Sequence, residues 1–174
     1  MCSSDLEVMG TGPDFATAFA KAQRAAGQAL PAPAADGSTG VALTVNDRDK
    51  PGAAAIAMQL AKAGFTVYST EGTARALRQL GIEVTQVAKL SDGDGETIPD
   101  LIRAGRIALV INTPLGQGAR GDGYEIRRAA VQYRVPCITT MSGAAAAVQA
   151  MERAWKVDAK ALQDLHRSIG GAAA

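Results

Sequence analysis

The sequence predicts an α/β domain, with a five-stranded parallel sheet and helices on both of its faces. Short apolar or β-branched runs alternate with longer segments whose apolar residues recur at helical spacing. The connections between these runs are short, as in right-handed strand–helix–strand units, whose helices cover both faces of a parallel sheet. The predicted strands are residues 41–45, 65–68, 82–87, 107–111 and 137–140.

Each predicted helix has an apolar stripe, and most have signals at their ends. Asp49 is expected to cap a helix with Pro51 at its first position, and Ser142 is expected to cap the last helix. Gly64 and Gly81 follow predicted helix ends, where glycine is common. The stripes expected to face the sheet are Ile56, Leu60 and Ala63; Thr73, Leu77 and Leu80; Ile98, Leu101 and Ile102; Ile126, Ala129, Ala130 and Tyr133; and Ala144, Ala147, Val148, Met151 and Trp155.

One more helix and a linker precede this predicted domain. Residues 13–30 have an amphipathic pattern with a stop at Gly27, and residues 31–40 are rich in Pro and Gly. Because a single helix cannot bury its own apolar face, two interpretations fit equally: it docks on the following domain, or it is the end of a preceding one. Residues 157–174 form a C-terminal tail, and its Ala-rich end is expected to fray.

Composition argues against several classes of partner. The chain has 18 Lys and Arg against 17 Asp and Glu, so it lacks the positive excess that nucleic acid or an anionic membrane attracts. No apolar run is long enough to span a bilayer, and no charged leader precedes an apolar segment. Cys2 and Cys137 lie far apart without a Cys/His cluster, so no metal site is predicted. These features predict a cytoplasmic protein.

The segment Ser69-Thr70-Glu71-Gly72-Thr73 predicts a phosphate-binding turn. It lies between a predicted strand and a predicted helix. Its glycine lets the backbone approach an anion, and a helix N-terminus offers unpaired N–H groups and the positive end of the helix dipole. The hydroxyls of Thr70 and Thr73 are further donors. The turn therefore indicates a site for a phosphorylated small molecule.

Polar residues follow other predicted strands as well. Lys50 comes shortly after the first strand, Lys89 after the third, and Asn112 and Thr113 after the fourth. Because ligands of open parallel sheets bind at the carboxyl ends of the strands, these side chains are expected to meet on one rim. Lysines supply charge and hydroxyls supply short-range donors to a phosphate. For each residue alone a capping or solvated role is commoner, but their coincidence favours binding.

Five segments occur in an order typical of one family. They are Thr70-Glu71-Gly72-Thr73, Asp100-Leu101-Ile102 before Gly105, Val110-Ile111-Asn112-Thr113-Pro114, Asp122-Gly123-Tyr124-Glu125-Ile126-Arg127-Arg128, and Thr139-Thr140 before Gly143. Residues 41–156 thereby resemble the C-terminal allosteric domain of the carbamoyl phosphate synthase large chain, which has the methylglyoxal synthase-like fold, a Rossmann-type three-layer architecture. The resemblance extends to residues 7–30 and implies that residues 1–30 are the tail of a preceding ATP-grasp domain, although residues 1–6 fit it poorly.

The resemblance implies a regulatory site without catalytic residues. In this family UMP, an inhibitor, or IMP, an activator, binds at the carboxyl ends of the strands. No cofactor is implied for this chain; ATP with Mg or Mn is implied for the parent synthase, whose parts are the rest of the large chain and a glutaminase small chain. The parent makes carbamoyl phosphate for the pyrimidine and arginine pathways. The effector contacts of the family fall on Lys50, Thr70, Gly72, Thr73, Lys89, Asn112 and Thr113.

Two positions depart from the family pattern. Pro114 stands where some relatives have threonine, which removes a hydroxyl and an N–H donor. Cys137 stands where an aromatic residue contacts ornithine in some relatives, which leaves ornithine activation open.

Two rival functions come from families with the same fold. Methylglyoxal synthase needs a carboxylate base and a histidine near its substrate. Here Asn112 and Thr113 occupy the place of the expected aspartate, and His166 lies in the tail. The carboxylates of residues 92–96 are expected in a solvated loop. A purine-synthesis transformylase is disfavoured by the synthetase-like N-terminal segment, so the sequence favours a binding module.

Overall fold

The computed structural model describes residues 8–113 and 121–152, together with residues 161, 163, 164, 166 and 167. Cys2, Pro114 and Trp155 lie outside the described residues. A short 3₁₀ turn, Leu90–Asp92, lies between the third strand and the fourth helix. The helices and strands are α1 (Phe15–Ala25), β1 (Gly40–Thr44), α2 (Lys50–Lys62), β2 (Thr66–Thr70), α3 (Glu71–Gln79), β3 (Thr85–Val87), α4 (Ile98–Arg103), β4 (Ile107–Asn112), α5 (Asp122–Gln132), β5 (Cys137–Ile138) and α6 (Met141–Met151).

The strands form one parallel sheet in the order β3-β2-β1-β4-β5. The central strand β1 is buried along its whole length and pairs with β2 on one side and β4 on the other. Successive connections run outward from β1 first in one direction and then, after β3, in the other. The predicted five-stranded parallel sheet is therefore confirmed, and β1 and β4 flank the point where the strand order reverses.

Helices cover both faces of this sheet. Val41 and Leu43 of β1 pack with α2, α3 and α6 on one face. Ala42, which points the opposite way, packs with α4 and α5 on the other face. This alternation follows from the two-residue period of a strand, and it confirms the predicted three-layer architecture.

The predicted strands have different ends in the structure. β2 continues to Thr70, because its ladder with β3 pairs Thr70 with Val87. β3 begins only at Thr85, which is where its pairing with β2 begins. β5 is limited to Cys137–Ile138, since Thr140 already serves as the N-cap of α6. The type and order of every predicted strand are nevertheless correct.

Two predicted helix caps are wrong. Asp49 stands at the N-cap position of α2, but its carboxylate accepts a hydrogen bond from the Asn46 side chain at 2.7 Å and caps no α2 backbone group. Helix α6 is capped by Thr140 instead of Ser142, because the Thr140 hydroxyl accepts the Gly143 N–H at 3.1 Å. The α2 prediction fails because the capping bond is not made, and the α6 prediction fails because the helix begins at Met141, before Ser142.

The last residue of two predicted apolar stripes is exposed instead of buried. Leu80 is the C-cap of α3 and is 62% exposed, and Tyr133 is the C-cap of α5 and is 42% exposed. Each follows the last residue of its helix, so helical spacing no longer fixes the direction of its side chain. The other described members of the predicted stripes are buried or partly buried.

Helix α1 docks on α6. Ala20 and Ala150 are buried together, and Phe19 and Leu30 pack against them. Phe15 stacks on Phe19 with the ring centroids 5.7 Å apart, but it is 63% exposed. Docking on the following domain therefore describes α1 in this structure. Its origin as the tail of a preceding domain stays a prediction, as do the domain boundaries at residues 30, 40 and 156.

The predicted linker, residues 31–40, lies against the domain surface. The Thr66 hydroxyl donates to the Gly37 carbonyl at 2.8 Å, which ties the linker to β2. Within the linker, the Ala34 N–H donates to the Thr39 hydroxyl at 2.9 Å. These bonds hold the segment between α1 and β1 in a defined path.

Candidate functional site

A cavity of about 390 Å³ opens at the carboxyl ends of the strands, beside the reversal point between β1 and β4. Ligands of open α/β sheets bind at this place in the fold, because the loops that leave neighbouring strands diverge there. The described residues that line the cavity are Thr44, Val45, Asn46, Thr70, Lys89, Asn112, Thr113, Gly121, Asp122, Gly123, Tyr124, Ile126 and Arg127.

Helix α3 begins directly at the end of β2, so the predicted turn has no loop residues. Thr70 is the last residue of β2 and the N-cap of α3, and Glu71 already belongs to the helix. The Thr70 side chain makes no capping hydrogen bond. Thr70 lines the cavity, and the first-turn N–H groups of a helix have no partner within it, so this helix start is chemically suited to an anion.

The Lys50 ammonium lies beside the first turn of α3. A methyl group placed on Gly72 would lie 3.7 Å from the Lys50 Nζ, which is ordinary van der Waals contact and shows how near the ammonium lies to the helix start. Lys50 also forms an ion pair with Asp47, with 2.6 Å between Nζ and Oδ1, and its hydrogen bond and charge hold the pKa of Asp47 below the ordinary value. The Lys50 side chain is 27% exposed and does not line the cavity itself.

Thr73, a predicted site residue, faces inward and bonds within the protein. It is 3% exposed, and its hydroxyl lies within hydrogen-bond distance of the Val45 N–H (3.3 Å) and the Val45 carbonyl (3.4 Å). Ser69 is fully buried, and its hydroxyl donates to the Leu43 carbonyl. Both hydroxyls thus fix the end of β1 against β2 and α3, and Thr73 is not among the residues that line the cavity.

Lys89 lines the cavity from the loop after β3. Its backbone N–H donates to the Asp92 carboxylate at 3.0 Å, which holds the start of the 3₁₀ turn. Asp92, Asp94 and Glu96 are exposed, as predicted for a solvated loop, and Glu96 pairs with Arg106. None of these three carboxylates lines the cavity.

Asn112 belongs to a buried polar network at the other side of the cavity. It is 5% exposed, and its side-chain N–H donates to the Thr44 hydroxyl at 2.8 Å. Its Oδ1 accepts a hydrogen bond from the Arg127 guanidinium at 2.6 Å. The predicted residue Asn112 thus lines the cavity, and its hydrogen bond holds the Arg127 guanidinium beside it.

Thr113 and Asn46 join the loops that follow β4 and β1. The Asn46 backbone N–H and side-chain Nδ2 each lie 3.1 Å from the Thr113 hydroxyl. The Thr113 N–H donates to the Thr44 carbonyl at 3.2 Å. These bonds fix the floor of the cavity, and both residues line it.

Sequence reasoning missed the contribution of α5. Asp122, Gly123, Tyr124 and Arg127 line the cavity, although none was predicted as a site residue. One signal was available: Gly123 and Arg127 are four residues apart, so they lie on one face of the helix, next to the buried Ile126. A cation on that face is directed towards the sheet instead of solvent.

Cys137 is not among the residues that line this cavity. It lines a separate cavity of about 450 Å³, whose other lining residues are Gly27, Gln28, Ala130, Val131, Arg134 and Val135. Burial raises the pKa of its thiol, and the charge of Arg127 opposes that shift in part.

The described residues do not form a metal site or a membrane span. No three or more His, Cys, Asp or Glu among them are grouped so that they could hold an ion. No helix within the described part of the chain has the length and apolarity needed to cross a bilayer. His166 is described and exposed, and it does not line the cavity.

Residues 52–139 match the family model of the MGS-like domain. The chain belongs to the MGS-like domain family. The matched segment contains every predicted site residue except Lys50, which lies two positions before it. The family assignment predicted from the motifs is therefore confirmed.

The similar proteins with curated names include carbamoyl phosphate synthase large chains. The one from Rubrobacter xylanophilus is 47% identical over 163 residues, which are 92% of this chain and 15% of that protein. The Mycobacterium tuberculosis large chain is 47% identical over 173 residues, again 15% of its length. A Methanopyrus kandleri protein, the C-terminal section of such a large chain, is 48% identical over 92% of this chain and 29% of its own length. The chain thus spans under a third of these relatives.

A solved structure supports the fold alone. The crystal structure of methylglyoxal synthase from Elizabethkingia anophelis aligns with a TM-score of 0.54 and 21% identity, over 68% of this chain and 81% of that chain. The similarity confirms the methylglyoxal synthase-like architecture.

Proposed function

We propose that this cavity binds a nucleoside monophosphate, UMP or IMP, and that the chain is the regulatory domain of a glutamine-dependent carbamoyl phosphate synthase large chain. The observation that carries the proposal is that the two sides of one cavity differ in chemistry. Thr70, Gly72, Lys89 and the adjacent Lys50 are called the phosphate end. Thr44, Asn112, Gly123 and Arg127 are called the base end.

The phosphate end has the groups that an anion requires. It combines two ammonium groups, an uncapped hydroxyl and the N-terminus of α3. Lysine charges attract a phosphate over some distance, while backbone N–H groups and hydroxyls bind it at short range. Thr73 supports this end through Val45 and is assigned no direct contact.

The base end suits an uncharged polar ring. Asn112 and Arg127 provide hydrogen-bonding groups, and Ile126 and Tyr124 provide apolar surface. Asp122, at the start of α5, can accept hydrogen bonds from ligand hydroxyls. A ligand with a phosphate, hydroxyls and a ring therefore matches the cavity better than a small phosphorylated triose.

We infer that the chain regulates a parent synthase, and the similarity to the large chains supports this proposal. The proposed partners are the rest of the large chain and its glutaminase small chain, and the proposed setting is the cytoplasm. ATP with Mg or Mn is assigned to the parent's synthetase domains, since the described residues offer no carboxylate cluster for the metal. The effector would shift the synthetase between conformations if it binds one of them more tightly. The chain alone is expected to make no carbamoyl phosphate.

The alternative function is methylglyoxal synthase acting on dihydroxyacetone phosphate. One observation favours it: Asp122 is a carboxylate at the cavity, and a carboxylate can serve as a general base. It is the only carboxylate among the described residues that line the cavity. Asn112, however, is an amide held in a network with Arg127 and Thr44, so it cannot take up a proton in this role.

Calorimetric titration with UMP, IMP and dihydroxyacetone phosphate, run beside a methylglyoxal assay, tests the proposal. Lys89→Ala combined with Thr70→Val is expected to weaken UMP binding at least tenfold, about 1.4 kcal/mol. Lys62→Ala is the matched control, because Lys62 ends α2 near the amino ends of the strands, whereas the cavity lies at their carboxyl ends.

Three outcomes would contradict parts of this account. Formation of methylglyoxal at a rate above the protein-free background would establish the enzyme, and Asp122→Asn would then be expected to abolish it. Unchanged UMP affinity in the double variant would show that the phosphate end is misplaced. Absence of UMP and IMP binding would contradict the regulatory proposal itself.

A further inference from the structure

Arg127 is held in place by groups that are already buried. Its NH1 donates to the Asn112 Oδ1 at 2.6 Å, and Asn112 in turn donates to the Thr44 hydroxyl at 2.8 Å. Asn112 is 5% exposed and Thr44 is 6% exposed. A guanidinium that is anchored at one nitrogen loses little further freedom when its remaining donors bind a ligand.

The Asn112 amide is largely occupied by this network. Its Nδ2 lies near the Thr44 hydroxyl (2.8 Å) and the Thr44 carbonyl (3.5 Å), and its Oδ1 takes the Arg127 hydrogen. The half-buried Arg127 has five N–H donors, of which Asn112 takes one, and it lines the cavity. Arg127 therefore keeps donors that a ligand at this end can use, with Asn112 as a positioning residue.

Gly123 keeps this arrangement open. A methyl group at Gly123 would lie 3.2 Å from both the Arg127 NH1 and the Asn112 Oδ1. Contacts of that length force the neighbours to move by a few tenths of an ångström, which would stretch the pair. The backbone of Gly123 is helical with no left-handed angle, so the glycine is needed here for space.

The base end lies far from the phosphate end along the sheet. Thr70 ends β2 and Asn112 ends β4, and β1 lies between these strands. Two strand spacings of about 4.8 Å separate β2 from β4 by ~10 Å. We consider a nucleotide whose phosphate lies at Thr70 and Lys89. Its base then extends towards Arg127, and the edge of the base that meets Arg127 is the one farthest from the ribose.

We propose that Arg127 is the specificity-determining residue of the cavity and that it selects a base with a carbonyl oxygen on that far edge over a base with an amino group there. The proposal rests on the nucleotide site proposed above. A guanidinium donates and cannot accept, so it pairs with the oxo group of uracil or hypoxanthine and faces an unpaired N–H in cytosine or adenine. A buried site made for one hydrogen-bonding partner rejects an analogue that lacks it.

Titrations of UMP against CMP, and of IMP against AMP, test this assignment in the wild-type chain and in Arg127→Met. The wild type is expected to prefer the oxo nucleotide by about tenfold or more, and Arg127→Met is expected to lower that preference to less than about threefold. Inorganic phosphate affinity should be the same in both proteins. Arg128→Met is the matched control, because Arg128 is the next residue of α5, is 65% exposed and pairs with Glu125.

The outcomes separate this inference from the function on which it rests. If the wild type binds neither UMP nor IMP, both proposals are contradicted. If the wild type binds UMP and CMP equally, or if its preference survives Arg127→Met, only the role of Arg127 is contradicted. An equal loss of UMP and CMP affinity in Arg127→Met would indicate a structural role, and a loss of phosphate affinity would place Arg127 at the phosphate end.

Discussion

The two ends of the cavity differ in whether their polar groups are already hydrogen-bonded within the protein. At the phosphate end the Thr70 side chain makes no capping hydrogen bond to α3. Lys50 forms an ion pair with Asp47, which is 90% exposed. At the base end Asn112 and Arg127 are bonded to each other in a network that is buried at Asn112. The first end therefore gains its partners when a ligand arrives, whereas the second is arranged beforehand. We therefore propose that the first end contributes mainly to binding and the second mainly to discrimination.

The largest difference between the ends should appear in stability. Asn112→Ala leaves the Thr44 hydroxyl without its partner, so we expect the free energy of unfolding to fall by about 1–3 kcal/mol. Lys89→Ala should change it by less than about 0.5 kcal/mol, because no buried group loses a partner. Urea denaturation of both variants provides the measurement. Equal losses of stability would remove the distinction between a prearranged end and an open one.

Gly123→Ala is expected to have an intermediate effect at the base end. The added methyl group meets Arg127 and Asn112 at 3.2 Å, and such overpacking costs about 1–2 kcal/mol. Gly52→Ala is the matched control: Gly52 also lies in the first turn of a helix, is exposed, and its methyl would meet only the Met141 side chain, at 3.4 Å. That control should be neutral or stabilising, by up to about 1 kcal/mol. Thermal unfolding distinguishes the two, and similar shifts in Tm would argue against a spatial role for Gly123.

The smallest effect concerns acid stability away from both ends. Hydrogen bonds from the Thr97 side chain and backbone, with help from Arg103, hold the pKa of Asp100 below its ordinary value of 3.8. A carboxyl whose pKa is lowered on folding stabilises the protein above its unfolded pKa, and this contribution is lost as the pH falls through the folded pKa. Asp100→Asn should therefore flatten the decline in stability below about pH 4.

The Asp100→Asn variant also separates UMP affinity from overall stability. Asp100 belongs to α4 and does not line the cavity, so UMP affinity at pH 7 should match that of the wild type. Urea unfolding as a function of pH and calorimetry at pH 7 provide the two readouts. If Asp100→Asn weakened UMP binding as much as Lys89→Ala does, binding would follow overall stability and not the phosphate end.

The fold was predictable because its signals are local. Strand and helix periods are read within about ten residues, and the short connections then restrict the sheet to a parallel arrangement. The position of Thr70 and Lys89 at one cavity was predictable for the same reason, since both follow their strands directly, and their contact with a phosphate stays a prediction. Errors arose at helix ends such as Leu80 and Ser142, where a single residue's direction depends on the exact boundary.

The base end was only half predictable because its bonds span the chain. Asn112 and Arg127 are 15 residues apart, and Asn112 and Thr44 are 68 apart, so their meeting depends on how α5 lies over β4. The inward position of Thr73 was missed for a related reason, and its contact with an effector stays a prediction. Because α3 starts at Glu71 without a loop, the third residue of the helix faces the core and bonds to Val45 instead of the cavity.

Backbone chemical-shift mapping with UMP tests whether both ends belong to one nucleotide site. We expect the amide signals of Gly72, Lys89, Thr113 and Gly123 to shift together along one saturation curve, while that of Lys62 stays unchanged. Shifts confined to one end, or clustered away from the carboxyl ends of the strands, would contradict it.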